Sequence, residues 1–349
     1  MSSRENTSLT EQIKARAGEL GFDKIGIVRA EALIEERARL EEWLRRGYHG
    51  EMTYMTRDPE QRSHPRKLFS GAKSVIVVAL NYYTPHEHEV RTDCFHPLPL
   101  GEERGEGAKH SGRVNVRSKA TGKVSRYAWG DDYHDVVGEK LRDLLAGIKA
   151  DYPEAEGKVC VDIQPTMDKA WAVRAGLGWM GKHTNVITHE FGSWIFIGEL
   201  LLSLELDYDD QEIADQCGSC TLCIDVCPTG AIVEPYALDA NLCISHATIE
   251  SRTPGIREDV AAHLEGWLYG CDICQDVCPW NHAAKTTSES RFEPRNGNVN
   301  PSLDEILELD HEAYAHRFRG SAMKRAKLSG LQRNARALLA DSGTAETRP

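Results

Sequence analysis

The residues with the most specific chemistry in this chain are cysteines, and eight of its ten lie between Cys217 and Cys278. The stretch CGSCTLCIDVCPTG, Cys217 to Gly230, has the spacing C-x2-C-x2-C-x3-C-P. That spacing wraps three thiolates round one 4Fe-4S cubane and turns the fourth toward another cluster. A tetrahedral zinc site takes two CxxC pairs and needs neither the third evenly spaced cysteine nor the proline. A partial repeat, CDICQDVCPWN, supplies Cys271, Cys274 and Cys278. By the same crossover Cys278, which also precedes a proline, completes the cube of Cys217, Cys220 and Cys223. Cys227 then joins Cys271 and Cys274, leaving one iron without a thiolate. The candidate is Cys243 in LDANLCISH, sixteen residues after Cys227 and between the two motifs. Cys94, in a polar stretch, reads as an exposed thiol, and Cys160, in an apolar strand, as a small core residue. Two clusters with exchanged ligands sit close enough to pass single electrons, whereas a structural staple would need only one.

A free two-cluster ferredoxin is complete in roughly 60 to 80 residues, so the long segment before Cys217 must hold what the electrons act on. Its pattern is mixed. Ser8 and Glu11 have capping-box spacing, Ile13, Ala17 and Leu20 form an apolar stripe, and KIGIV follows as a strand. A helix is expected near Leu33 to Arg46, a buried strand over Ser74 to Leu80, and a helix over Asp132 to Ala150. A strand over Lys158 to Ile163, a helix over Thr166 to Ala175 and a long strand over Trp194 to Leu202 complete an α/β (α+β) domain spanning 1–208. Within it, 86–123 has no usable period and reads as a long loop insertion. A ferredoxin-like domain over 209–285 and a helical tail over 286–349 follow. No GxGxxG opens a helix after a strand, and GLGWMGK (Gly176 to Lys182) has neither the Rossmann nor the Walker spacing. DYHDVVG, Asp132 to Gly138, is one residue too long for the DxHxxG pattern that offers histidine to cobalt, which counts against His134 as a ligand.

With 349 residues and a net charge of −12, the chain can bury a sizeable core but is not coated for indiscriminate nucleic-acid binding. Charge is local. Arg317, Arg319, Lys324, Arg325, Lys327, Arg333 and Arg336 come with no acidic residue among them, a basic patch fit for a polyanion. Arg333 and Arg336 stand one turn apart and are expected to face one phosphate backbone. No apolar h-region opens the chain and no apolar run approaches the roughly 18 residues that span a bilayer. A cytoplasmic protein without disulfides is expected.

The segments RYAWGDDYHDVV, VDIQPTMDKAWAVRAGLGWMGKHTNVIT, GSWIFIGELL, the cysteine run from Cys217 through CISHATIE, and LYGCDICQDVCPWN together resemble the epoxyqueuosine reductases. The similarity runs in order from about residue 10 to about residue 340, and the displaced Cys243 is itself a feature of that family. The resemblance implies a cobalamin-binding domain related to that of reductive dehalogenases, then a two-cluster 4Fe-4S ferredoxin module and helices. It also implies two 4Fe-4S clusters feeding a base-off cobalamin, and removal of the epoxide oxygen of epoxyqueuosine in the tRNA anticodon. Asp162 in VCVDIQP matches the proton donor, and a carboxyl in a dry pocket is expected to have a raised pKa; Asp132 is the alternative acid. Arg62, Ser125, Val186, Ile197, Ser245 and Asp272 match corrinoid-lining positions, together with Asp162. The chain stops after QRNARALLA, where some relatives continue into HEAT-like repeats. A tRNA substrate, an external electron donor and a monomer without membrane attachment are expected. Two rivals remain: a corrinoid reductive dehalogenase of a small molecule, which is usually exported with a twin-arginine leader not seen here, and an electron-carrier module.

Overall fold

The computed structural model describes residues 8–88, 120–209 and 211–344. Cys94, Arg113, Arg117 and Lys119 lie outside the described residues. The first helix, Leu9–Glu19, begins on the expected capping box: Glu11 N–H donates to the Ser8 hydroxyl and Ser8 N–H to the Glu11 carboxylate, each at 3.3 Å. Four strands then form the central sheet in the order Lys24–Arg29, Ser74–Asn81, Ile195–Leu202, Gly157–Cys160, with every neighbouring pair antiparallel. Ser74–Asn81 is buried along its whole length, because both faces are covered, so its sequence is apolar without alternation. On one face Ile76, Val78, Leu80 and Leu200 pack with Ile13 and Ala17 and with Val137 and Leu141 of the long helix Tyr133–Asp151. On the other face Val75, Val77, Leu201 and Cys160 pack with Trp171 and Ala172 of the helix Asp168–Arg174. All-antiparallel pairing makes this domain α+β rather than a parallel doubly wound sheet.

The strand expected over Lys158 to Ile163 stops early, at Cys160. Beyond it Val161 N–H donates to the Gln164 side-chain oxygen (2.9 Å) and Ile163 N–H to Val161 O (2.5 Å), so the backbone leaves the ladder. Local bonds of this kind compete directly with sheet pairing. Asp162 therefore sits on a tight loop with φ of 52° rather than at the end of a strand.

A second core joins distant parts of the chain. Val124, Ala128, Trp129, Trp267, Leu268, Tyr269, Ile306 and Leu331 pack in one cluster, and Lys123–Val124 pairs in parallel with Trp267–Tyr269. The tail helices Leu303–Glu308 and Lys327–Thr344 thus share their core with the cysteine-bearing region and with 124–129. Among the described residues no helix is long and apolar enough to cross a membrane.

Candidate active site and cluster ligands

Two short helices, Leu222–Asp225 and Ile273–Asp276, carry the middle cysteines of the two motifs. Burial pushes the Cys223 thiol up to about 11, helped by its neighbours Cys278, Cys217 and Cys220. Cys274 is half-buried and feels Cys243 most among the thiols, with Cys227 and Cys223 after it, and Cys271 feels Cys274 and Cys243. Among the described residues no three His, Cys, Asp or Glu donors converge on one ion-sized point. Cys243 is the N-cap residue of the helix Ile244–Ile249, so its position is fixed by that helix.

Asp162 is held by two side chains of the long helix. The Tyr133 hydroxyl donates to its Oδ2, and His134 Nε2 lies 3.4 Å from the same oxygen. The other ring nitrogen, His134 Nδ1, is 2.6 Å from Asp132 Oδ1, and Asp132 is also the N-cap of that helix, accepting His134 N–H. Adjacent helical residues reach one loop because the first turn of the helix meets it end-on. The result is a line of groups, Asp132, His134, Asp162. Partial burial lowers the His134 pKa, but the two flanking carboxylates outweigh it and push it up to about 9. For Asp162 crowding raises the pKa, but bonds from His134 and Tyr133 prevail and leave it below the ordinary carboxylate value. This runs against the expected raised pKa, because the charged His134 ring and the Tyr133 hydroxyl both favour the ionised carboxylate. At neutral pH the proton rests on His134. The sequence weighed His134 only as a metal ligand and did not single out Tyr133; adjacent Tyr and His after an N-capping Asp were the available signal.

Asp162 also feels the Lys169 charge. Lys169, Cys243 and Cys274 are each crowded by protein atoms, enough to shift their titration, yet none has a closed surface. Lys169 donates to Thr184 O and Asn185 Oδ1, both at 2.8 Å, and feels the charges of Asp162, Cys274 and Cys243. Lys169 thus stands within reach of the charge of both Asp162 and the cysteines Cys274 and Cys243. Next to Asp162 in the chain, Ile163 is 74% exposed, and Tyr54, which feels the Asp162 charge, is 36% exposed. Arg62 lies over the Tyr54 ring, 5.9 Å from its centroid, and its buried Nε lacks a protein partner. Apolar surface awaiting cover and an orphaned donor are what a large, mostly apolar cofactor with polar edges would meet. Asp168, which accepts the Thr166 hydroxyl, lies near the fully buried Glu199, whose carboxylate oxygens have no hydrogen-bond partner among the described residues, and burial raises both pKa values.

The other corrinoid-lining candidates are placed differently. Ile197 and Ser245 keep partial exposure. Ser125, Asp272 and Val186 keep only 2% each. The Ser125 hydroxyl donates to Asp272 at 2.5 Å, and the other Asp272 oxygen accepts Arg126 N–H at 2.7 Å.

The basic tail also needs correction. Arg333 is 7% exposed, and its guanidinium donates to Ala247 O (2.6 Å), Ser251 O (3.0 Å) and Thr253 O (3.1 Å). It caps the helix that starts at Cys243 and cannot share a phosphate with exposed Arg336. Arg325 is bidentate to Glu250 at 2.7 and 2.8 Å, and lies 5.5 Å from the Tyr54 ring centroid. Lys324, Lys327 and Arg336 remain exposed, on a surface that reaches Tyr54 through Arg325. Helical spacing alone could not show that a second core swallows one face of this helix.

A 4Fe-4S double cluster binding domain model matches residues 216–281, and the model for epoxyqueuosine reductase QueG, DUF1730, matches residues 62–163. The chain is 44% identical to the epoxyqueuosine reductase of Leadbetterella byssophila over 325 residues, 93% of this chain and 96% of that protein. Its structure resembles an epoxyqueuosine reductase solved with a tRNA-Tyr epoxyqueuosine-modified stem loop, with a TM-score of 0.82 and 32% identity over 97% of this chain and 82% of that one. A Bacillus subtilis epoxyqueuosine reductase, with its catalytic aspartate loop swung out of the active site, matches with a TM-score of 0.79 and 31% identity over 97% and 82% of the two chains. Identity at this level over nearly the full length of both proteins places the chain in the epoxyqueuosine reductase family.

Proposed function

We propose that this protein reduces epoxyqueuosine at the wobble position of a tRNA anticodon to queuosine, working in the cytoplasm as a monomer loaded by an external one-electron donor. The observation that carries the reading is the Asp132, His134, Asp162 line, with Lys169 feeling the charge of both Asp162 and the cysteines Cys243 and Cys274. Opening the epoxide and expelling its oxygen as water takes two electrons and two protons. Cys217, Cys220, Cys223 and Cys278 hold one 4Fe-4S cluster, and Cys227, Cys243, Cys271 and Cys274 the other. Arg62, Ile197, Ser245 and Asp162 line the space for a base-off cobalamin, with Ser125, Asp272 and Val186 supporting it from behind. When bound there, cobalamin supplies the low-potential cobalt that passes electrons to the substrate.

The chain's own residues supply the proton. Asp162, ionised at rest, faces the substrate; His134 gives it a proton as negative charge develops on the epoxide oxygen, and Asp162 delivers it. The loop position suits delivery, and the Bacillus subtilis relative also carries its catalytic aspartate on a loop. The dehalogenase alternative needs no polyanion surface, whereas exposed cations lie on the tail of this chain.

Two tests follow from this path. A proton held on His134 is available below its pKa and lost as pH rises through about 9, so kcat should fall over that window. His134→Gln should lower the plateau and remove the high-pH limb while the clusters stay intact; an unchanged profile would show that water recharges Asp162. The same sign governs the fold: the ion pairs at His134 contribute stability below its ordinary pKa, and that contribution disappears as pH passes about 9. For tRNA, changing Lys324, Lys327 and Arg336 together to Gln should weaken binding and reduce the slope of log K against log salt by about 0.7 for each phosphate no longer neutralised. Cofactor content should not change. Equal affinity and slope would return these residues to an ordinary solvated face.

A further inference from the structure

The GLGWMGK stretch is not a nucleotide loop, and the structure gives it another task. Its glycines serve packing: Gly176 has φ of 68°, and a Cβ on Gly178 would lie 2.1 Å from Ile187 O. They allow Trp179–Met180 to pair closely with Val186–Ile187, and the hairpin closes over Cys217 and Cys278 with Trp179, Ile187, Trp280 and Ile213 as an apolar jacket. Two groups of this hairpin then meet the first cysteine motif. The Trp179 indole packs in the cluster that Cys217 joins, and its buried N–H has no partner among the described residues. The Lys182 side chain, 8% exposed, places its ammonium 2.6 Å from Gly218 O and 2.9 Å from Cys220 O.

We infer that Lys182, with Trp179, sets the reduction potential of the cluster held by Cys217, Cys220, Cys223 and Cys278. This rests on the ligand assignment above. A cluster that gains one electron from the external donor gains one negative charge. A nearby ammonium and N–H bonds to its sulfurs stabilise the reduced form and raise the potential. One carboxylate opposes this: Asp215, which accepts Cys217 N–H at 2.9 Å and the Tyr236 hydroxyl at 2.8 Å. Asp215 is exposed, whereas Lys182 is buried, so the lysine is screened far less and prevails. His189 packs tilted against Trp179 and edge-on to Trp280, and its side-chain bond is to Gln216. Cys274 and Cys243 of the second cysteine group lie near Lys169 rather than Lys182, so removing the Lys182 charge acts on the first group.

The test is an EPR-monitored redox titration of the anaerobically prepared full chain carrying Lys182→Gln, which removes the charge but keeps a donor for the carbonyls. At a fixed potential the reduced-to-oxidised ratio of one cluster should drop about tenfold, a shift of about 59 mV for one electron, while the other cluster stays put. Lys182→Arg should leave both in place, and Trp179→Phe should shift the same cluster in the same direction. An unmoved midpoint in Lys182→Gln, an equal shift of both clusters, or release of iron with no shift would overturn the inference. A parent protein without two clusters would instead overturn the ligand assignment on which it rests.

Discussion

Asp162→Asn should retain both clusters and the fold yet lose turnover by about 100-fold or more, the scale of a missing general acid. Asparagine is the substitution that isolates the proton. It tolerates the left-handed backbone that φ of 52° imposes, and its amide oxygen can still accept the Tyr133 hydroxyl. What it cannot do is carry a proton from His134 to the substrate. Single-turnover reduction of epoxyqueuosine in a tRNA stem loop, with iron content and circular dichroism as controls, measures the effect. Turnover close to the parent would move the acid to Asp132 or to water; Asp132 is the weaker candidate, because its oxygen is already spent on His134 and on capping the helix.

Cys243→Ala should lose one whole cluster, taking iron from about eight to about four per chain, and abolish turnover. The three remaining thiols of that group, Cys227, Cys271 and Cys274, would leave one iron with no protein ligand. The helix Ile244–Ile249 should survive, since Arg333 and Asn334 still bond its carbonyls at 2.6 and 2.8 Å, so damage stays local. Alanine is preferable to serine, whose alkoxide can itself bind iron. Two intact clusters by EPR and iron count would refute the displaced ligand.

Much of this protein was legible in its sequence because the signals are covalently local. Cysteine spacing fixes which thiolates one cubane can reach, and that holds whatever surrounds them. Apolar runs such as SVIVVALN announced a strand covered on both faces, and Ser8 with Glu11 announced where the first helix starts. Properties that depend on what another segment brings into contact were not legible. The Asp162 pKa went the other way because His134, 28 residues earlier in the chain, points at it; a carboxyl's titration is set by neighbours in space. Arg333 looked like a phosphate ligand and is a buried cap, since helical periodicity places Arg336 beside it but says nothing of which face a second core covers. Gly176 to Lys182 has neither the Rossmann nor the Walker spacing, and only the hairpin's closure over Cys217 gave its lysine the Gly218 and Cys220 carbonyls as partners. Cysteine spacing was written in the chain; the partners of His134, Asp162 and Arg333 were decided by packing between segments distant in sequence.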